Sequence, residues 1–156
     1  MQFAPPWPRV EYGELFFKEL GIDIASANRD ALAKKAKELG VAVEKSFNKA
    51  HLEDALYKKA IRPNIWNPAF VIHQPADMLP LAKQKQGDET KAESFQLVAA
   101  GGWELVKGYS EQNNPLVQRQ MFAEQERLYA KGLKDAQRMD QEFLEALEYG
   151  MPPAAG

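Results

Sequence analysis

The sequence predicts an α+β fold, an antiparallel sheet of about three or more strands with flanking helices. Apolar residues recur at helical spacing toward both ends of the chain, and a proline-bounded apolar run begins near Asn67. Two further strand-like runs follow it in close succession, which suggests a meander. With 156 residues, 45% of them hydrophobic, the chain is long enough for one domain with a core.

Taken in order, Pro5-Pro6-Trp7-Pro8 excludes helix and reads as a stiff lead-in, because each proline fixes its own φ and biases its predecessor toward extended geometry. Tyr12, Leu15, Phe16 and Leu20 then predict a helix over about 11–20, stopped by Gly21. Two more amphipathic helices are expected within 22–62. One runs from Ser26 to Leu39, with Leu32, Ala36 and Leu39 on its stripe and Gly40 as terminator, and one from Lys49 to Ile61. Their outer lysines (Lys34, Lys35, Lys37, Lys58, Lys59) read as solvated surface before they read as an RNA contact.

Phe70-Val71-Ile72, framed by Pro68 and Pro75, predicts the first strand. The polar stretch 82–92 with Gly87 reads as a hairpin-like excursion, and Ser94–Ala100 and Trp103–Glu111 as the second and third strands of the meander. Asn114 as N-cap and Pro115 at the first helical position open a helix to about Lys131, with Leu116, Met121, Phe122 and Leu128 on its buried side. Asp140 caps a last helix with Phe143, Leu144 and Leu147 inward, ended by Gly150 and Pro152-Pro153.

Composition removes several functions. Twenty basic against 22 acidic residues give a formal charge of −2, so no global positive field grips a nucleic acid backbone. Cysteine is absent, which rules out disulfides, thiolate metal sites and a cysteine nucleophile. No apolar run reaches membrane-spanning length, and Met1-Gln2-Phe3-Ala4-Pro5-Pro6 has no signal-peptide character, so a soluble, cytoplasmic chain is expected. There is no Gly-rich phosphate loop, His/Cys cluster or nucleophile elbow. His73, within an apolar run, reads as a structural residue rather than a base.

Carboxylate chemistry remains. In the run from Gly101 to Pro115, period two puts Leu105, Lys107, Tyr109 and Glu111 on one face, and Glu104 on the other unless a bulge intervenes. An ammonium, a ring and a carboxylate in one row form a candidate binding surface; a solvated edge strand is the other reading. Glu104, Glu111 and the neighbouring Gln96 have oxygens suited to Mg²⁺ or to an ammonium substrate.

These residues also carry a family pattern. Ala69-Phe70-Val71-Ile72-His73-Gln74-Pro75-Ala76, Pro80-Leu81-Ala82-Lys83, Glu93-Ser94-Phe95-Gln96-Leu97, Trp103-Glu104 through Pro115, Gln118-Arg119-Gln120-Met121-Phe122 and Ala146-Leu147-Glu148-Tyr149-Gly150-Met151-Pro152-Pro153 together resemble class II lysyl-tRNA synthetase, in order and spacing. Pro5-Pro6-Trp7-Pro8-Arg9-Val10 resembles the segment after that family's second signature motif. The resemblance implies that residues 1–156 form part of a class II catalytic domain, between its second and third motifs. It implies lysine, ATP and tRNA as partners of the parent enzyme, with Mg²⁺ as its metal. Glu104 would sit on the ATP and Mg²⁺ side, Tyr109 would line the lysine pocket, and Glu111 would receive the substrate's ε-ammonium.

Several positions depart from the pattern. Lys107 stands where the family carries asparagine, bringing a cation toward the place of the substrate's ammonium, or pairing with Glu111. Gln96 replaces an acid at a metal position, Leu79 a serine and Ser94 an arginine, Gln112-Asn113-Asn114 replaces Leu-Asn-Asp, and the Gly101-Gly102 loop is one residue longer. The family's phosphate-gripping arginines have no counterpart in these residues, so the isolated chain is expected to be inactive and to bind ATP and Mg²⁺ only in its parent context. The alternatives are a non-catalytic or engineered binding or scaffold module that keeps the fold, and a paralogue that modifies a protein with lysine. A partial catalytic sheet exposes strand edges, so self-association or a homo-oligomer is expected.

Overall fold

The extended backbone that the N-terminal prolines impose continues into a short strand, β1 (Arg9–Glu11), in the computed structural model, which describes residues 1–156. Three residues are too few to give a period-two signal. β1 pairs in parallel with β2 (Ala69–Ile72), Val10 opposite Val71. The expected meander is therefore part of a mixed sheet. β5 (Ser94–Ala99) lies antiparallel to β2, and β6 (Trp103–Tyr109) antiparallel to β5, giving the order β1-β2-β5-β6. The polar stretch forms a separate hairpin, β3 (Gln84–Lys85) and β4 (Asp88–Ala92), turning at Gly87 with φ +82°.

Helices α1 (Tyr12–Leu20), α2 (Arg29–Glu38) and α3 (Lys49–Leu56) occupy the expected places, with the Asn28 and Asn48 side chains accepting from the Ala31 and His51 amides. The third helix continues as a π turn, Tyr57–Ile61, and a 3₁₀ turn, Arg62–Asn64. The main core joins this helical layer to one sheet face: Tyr12, Phe16, Leu32, Leu52, Tyr57 and Ile61 pack with Val71 and Val98. Each such fully buried apolar side chain contributes about 1.5–3 kcal/mol relative to exposure. Leu39, expected on the α2 stripe, is instead 40% exposed, because the helix ends at Glu38 and the chain turns away at Gly40.

α4 (Pro115–Ala130) starts at the Asn114 cap, and α5 (Gln141–Glu148) at the Asp140 cap. Of the expected inward face of α4, Phe122 and Leu128 are buried, whereas Leu116 is 71% exposed and the buried row is completed by Gln118 and Gln125. The glutamines go inside because they satisfy backbone: Gln118 Nε2 donates to Pro80 O at 2.7 Å and Gln125 Nε2 to Asp77 O at 3.1 Å. No helix is long and apolar enough to cross a membrane.

Candidate functional site

Along β5 and β6 the pairs are Ser94–Tyr109, Gln96–Lys107 and Leu97–Val106, after which the register slips so that Val98 faces Glu104. Leu105 is thus the extra residue of a β-bulge. Directly opposed residues share a face, so the bulge brings Glu104 onto the side of Lys107 and Tyr109 and leaves Leu105 with no opposing residue. Regular alternation, which excludes Glu104 from that row, is corrected. Trp103, Val106 and Gly108 lie on the opposite face with Phe95, Leu97 and Phe70.

Glu104 is held from two directions. Gln96 Nε2 donates to Glu104 Oε2 at 2.6 Å, Tyr57 Oη donates to Gln96 Oε1 at 2.9 Å, and Arg62 Nη1 stands 3.5 Å from the same Glu104 oxygen. Arg62 reaches there because the β5–β6 loop docks on the 3₁₀ turn: Ala100 N donates to Trp66 O and Gly101 N to Ile65 O. A side chain at Gly102 (φ +101°) would stand 3.1 Å from the backbone of Arg62 and Pro63, so the loop needs glycine there. Sequence reasoning missed Tyr57 and Arg62, which lie 39 and 42 residues from their partners.

The Tyr109 ring packs against the small cluster of Leu79, Ala82 and Ala92, and its hydroxyl pKa is raised by burial and by the Glu111 carboxylate beside it. Glu111 lies just past β6, between two extended segments: it bridges to Ala82 on one side, and its amide donates to Ala154 O at 2.9 Å on the other. Gly156 lies against its carboxylate, since a Cβ there would be 3.2 Å from Glu111 Oε1. Lys107 is exposed and makes no ion pair with Glu111, so the pairing expected as one option does not form.

This donor set allows a limited fit to Mg²⁺. Glu104 Oε1 has no protein partner, whereas Gln96 is engaged through both amide atoms. One carboxylate suits an ion whose remaining ligands are phosphates and water, and it makes no dedicated metal cage.

The mixed four-stranded sheet thus carries helices on one face, with a carboxylate-bearing bulged strand presented on that same face. Residues 1–156 match the family of class II tRNA synthetases (D, K and N), and the chain belongs to that family. Among curated relatives, the lysine–tRNA ligases of Thermotoga sp. (strain RQ2) and Thermotoga maritima are each 39% identical over the whole chain, and that of Chloroflexus aurantiacus is 36% identical. The chain spans about 30% of the length of these relatives, 30% of the first two and 32% of the third.

Proposed function

We propose that the chain is the central part of a lysine–tRNA ligase catalytic domain, between its second and third signature motifs, and that the parent enzyme activates lysine with ATP and passes it to tRNA in the cytoplasm. The observation that carries this is 39% identity over the entire chain to proteins of that name. Residues 22–62 are then a helical segment within one partial domain.

In this reading Glu111 accepts the ε-ammonium of lysine, and Tyr109 walls the aliphatic stem while lowering the local polarity that would otherwise weaken the ion pair. Gln96 and Arg62 hold one oxygen of Glu104, and its unpartnered oxygen is the one this reading assigns to Mg²⁺ and the nucleotide. Bound ATP with Mg²⁺ supplies the electrophilic α-phosphate. The Lys107 ammonium raises the cost of bringing a second cation into the row and weakens lysine binding. These residues alone are expected not to complete the reaction, because the family's phosphate-gripping arginines have no counterpart among them, and stabilising the developing phosphate charge is usually the largest catalytic contribution.

A second reading, a scaffold that keeps the fold without catalysis, is favoured by Lys107 and by the neutral, fully engaged Gln96. Calorimetry separates the two. Lysine binding that Glu111→Ala abolishes supports the ligase reading, and absence of heat with both lysine and Mg²⁺–ATP supports the scaffold. Robust lysine-dependent pyrophosphate exchange by this chain alone would contradict the inactivity proposed here.

A further inference from the structure

Away from the β6 row, a cleft of about 1010 Å³ opens between α1, α3, the end of β2 and the β3–β4 hairpin. Seven carboxylates line it against two lysines and one histidine. At its inner wall is Glu53, whose side chain is 5% exposed; it accepts no hydrogen bond, and its one ionic neighbour, Lys49, stands 3.8 Å away while donating instead to Ile24 O at 2.5 Å. Glu11 Oε2 also lacks a hydrogen bond, with Lys91 Nζ 3.8 Å away as its ionic neighbour, while Glu11 Oε1 lies 2.6 Å from His73 Nδ1; the Glu11 side chain is partly open to the cleft. A buried carboxylate lacking hydrogen bonds is costly, and the cost falls when a cation reaches it.

We propose that this cleft binds an aliphatic polyamine, a chain of ammonium groups joined by methylenes. The carboxylates are spread along the walls, and no three of them converge to hold a metal ion. Separated anionic points match separated ammonium groups better than one compact cation. Between the acids, Phe17, Ile24 and Ala50 offer apolar wall for the methylene segments. Glu53 and Glu11 then accept the hydrogen bonds they lack, and Asp77, exposed at the rim, adds a third anionic contact. This site shares no residue with the row of Glu104, Lys107, Tyr109 and Glu111, so it stands or falls separately from the proposed lysine pocket.

The test is calorimetric titration of the whole chain with putrescine, spermidine and spermine at fixed ionic strength. Affinity is expected to rise along that series, to fall at least tenfold in the double variant Glu11→Gln, Glu53→Gln, and to stay unchanged in Glu111→Ala. Asp77→Asn, at an exposed position, is expected to weaken spermidine several-fold and keeps the test open should the double variant unfold. No saturable spermidine binding, equal affinity in the variants, full competition by Mg²⁺ at the same ionic strength, or binding of an oligolysine peptide without binding of spermidine would each overturn the proposal.

Discussion

Glu53 shows how one residue couples burial to pH. Its pKa is pushed up to about 7 from the usual 4.5 by burial, against the smaller opposing pull of Lys49. The folded state therefore favours the protonated carboxyl. The destabilisation is absent below about pH 4.5, where folded and unfolded states are both protonated; it grows between pH 4.5 and 7 and is fully present above 7. Replacing the acid by its neutral isostere removes that cost, so Glu53→Gln should stabilise the chain at pH 8 by on the order of 2 kcal/mol and leave it unchanged near pH 4. Urea unfolding at the two pH values checks this; equal stability of parent and variant at pH 8 would contradict it. Lys107→Asn, which removes a cation from the proposed pocket, should tighten lysine several-fold, as roughly 1 kcal/mol of Coulomb repulsion predicts. The Lys107, Tyr109 and Glu111 row was legible in the sequence because period-two alternation is a local property. The contacts of Tyr57 and Arg62 with the Gln96–Glu104 pair were not, since only the tertiary fold brings them there.

At the level of elements, the bulge in β6 decides which groups share a face. Sequence showed that Glu104 needed such a bulge, and pairing located it at Leu105, which no local residue preference marks. Deleting Leu105 restores regular alternation and returns Glu104 to the opposite face. Mg²⁺–ATP binding by any complex that contains this segment should then be lost while lysine binding persists; retention of both would show that the bulge is irrelevant to the nucleotide side. Helix starts were legible because caps are local: the Asn114 side chain accepts from the Leu116 and Val117 amides at 3.0 and 3.4 Å. Asn114→Ala should cost about 1 kcal/mol in urea unfolding. The inward face of α4 was less legible, since buried glutamines answer to distant carbonyls that the helical period does not report. Gly108 is a related case: a Cβ there would lie 2.8 Å from the Phe95 ring and 3.0 Å from Gly156 O, so Gly108→Ala should destabilise by about 1–3 kcal/mol through overpacking.

Across the whole molecule, the helical layer covers one face of the sheet and leaves much of the other open. Trp103 is 72% exposed, and Val106 49%, on the face that also carries Phe70 and Phe95, while the bulge residue Leu105 is 46% exposed. Ala154 to Gly156 pair with only the far end of β6, from Tyr109 to Glu111, leaving Trp103–Gly108 as an edge. Contiguous apolar surface beside an open strand edge favours association, so the chain should self-associate in light scattering, and the double substitution Trp103→Lys, Val106→Lys should shift it toward monomer. A clean monomer of the unaltered chain at high concentration would contradict this. The α+β class was legible from periodicity, whereas the parallel β1–β2 pair was hidden by the brevity of β1. We propose that the β6 row forms a lysine pocket. Its most direct test is a ¹⁵N-edited NMR titration of the chain with lysine. A lysine pocket requires shifts concentrated at Lys107, Tyr109, Ser110 and Glu111 that vanish in Glu111→Ala; no shifts at saturating lysine, or shifts confined to the cleft around Glu11 and Glu53, would rule it out.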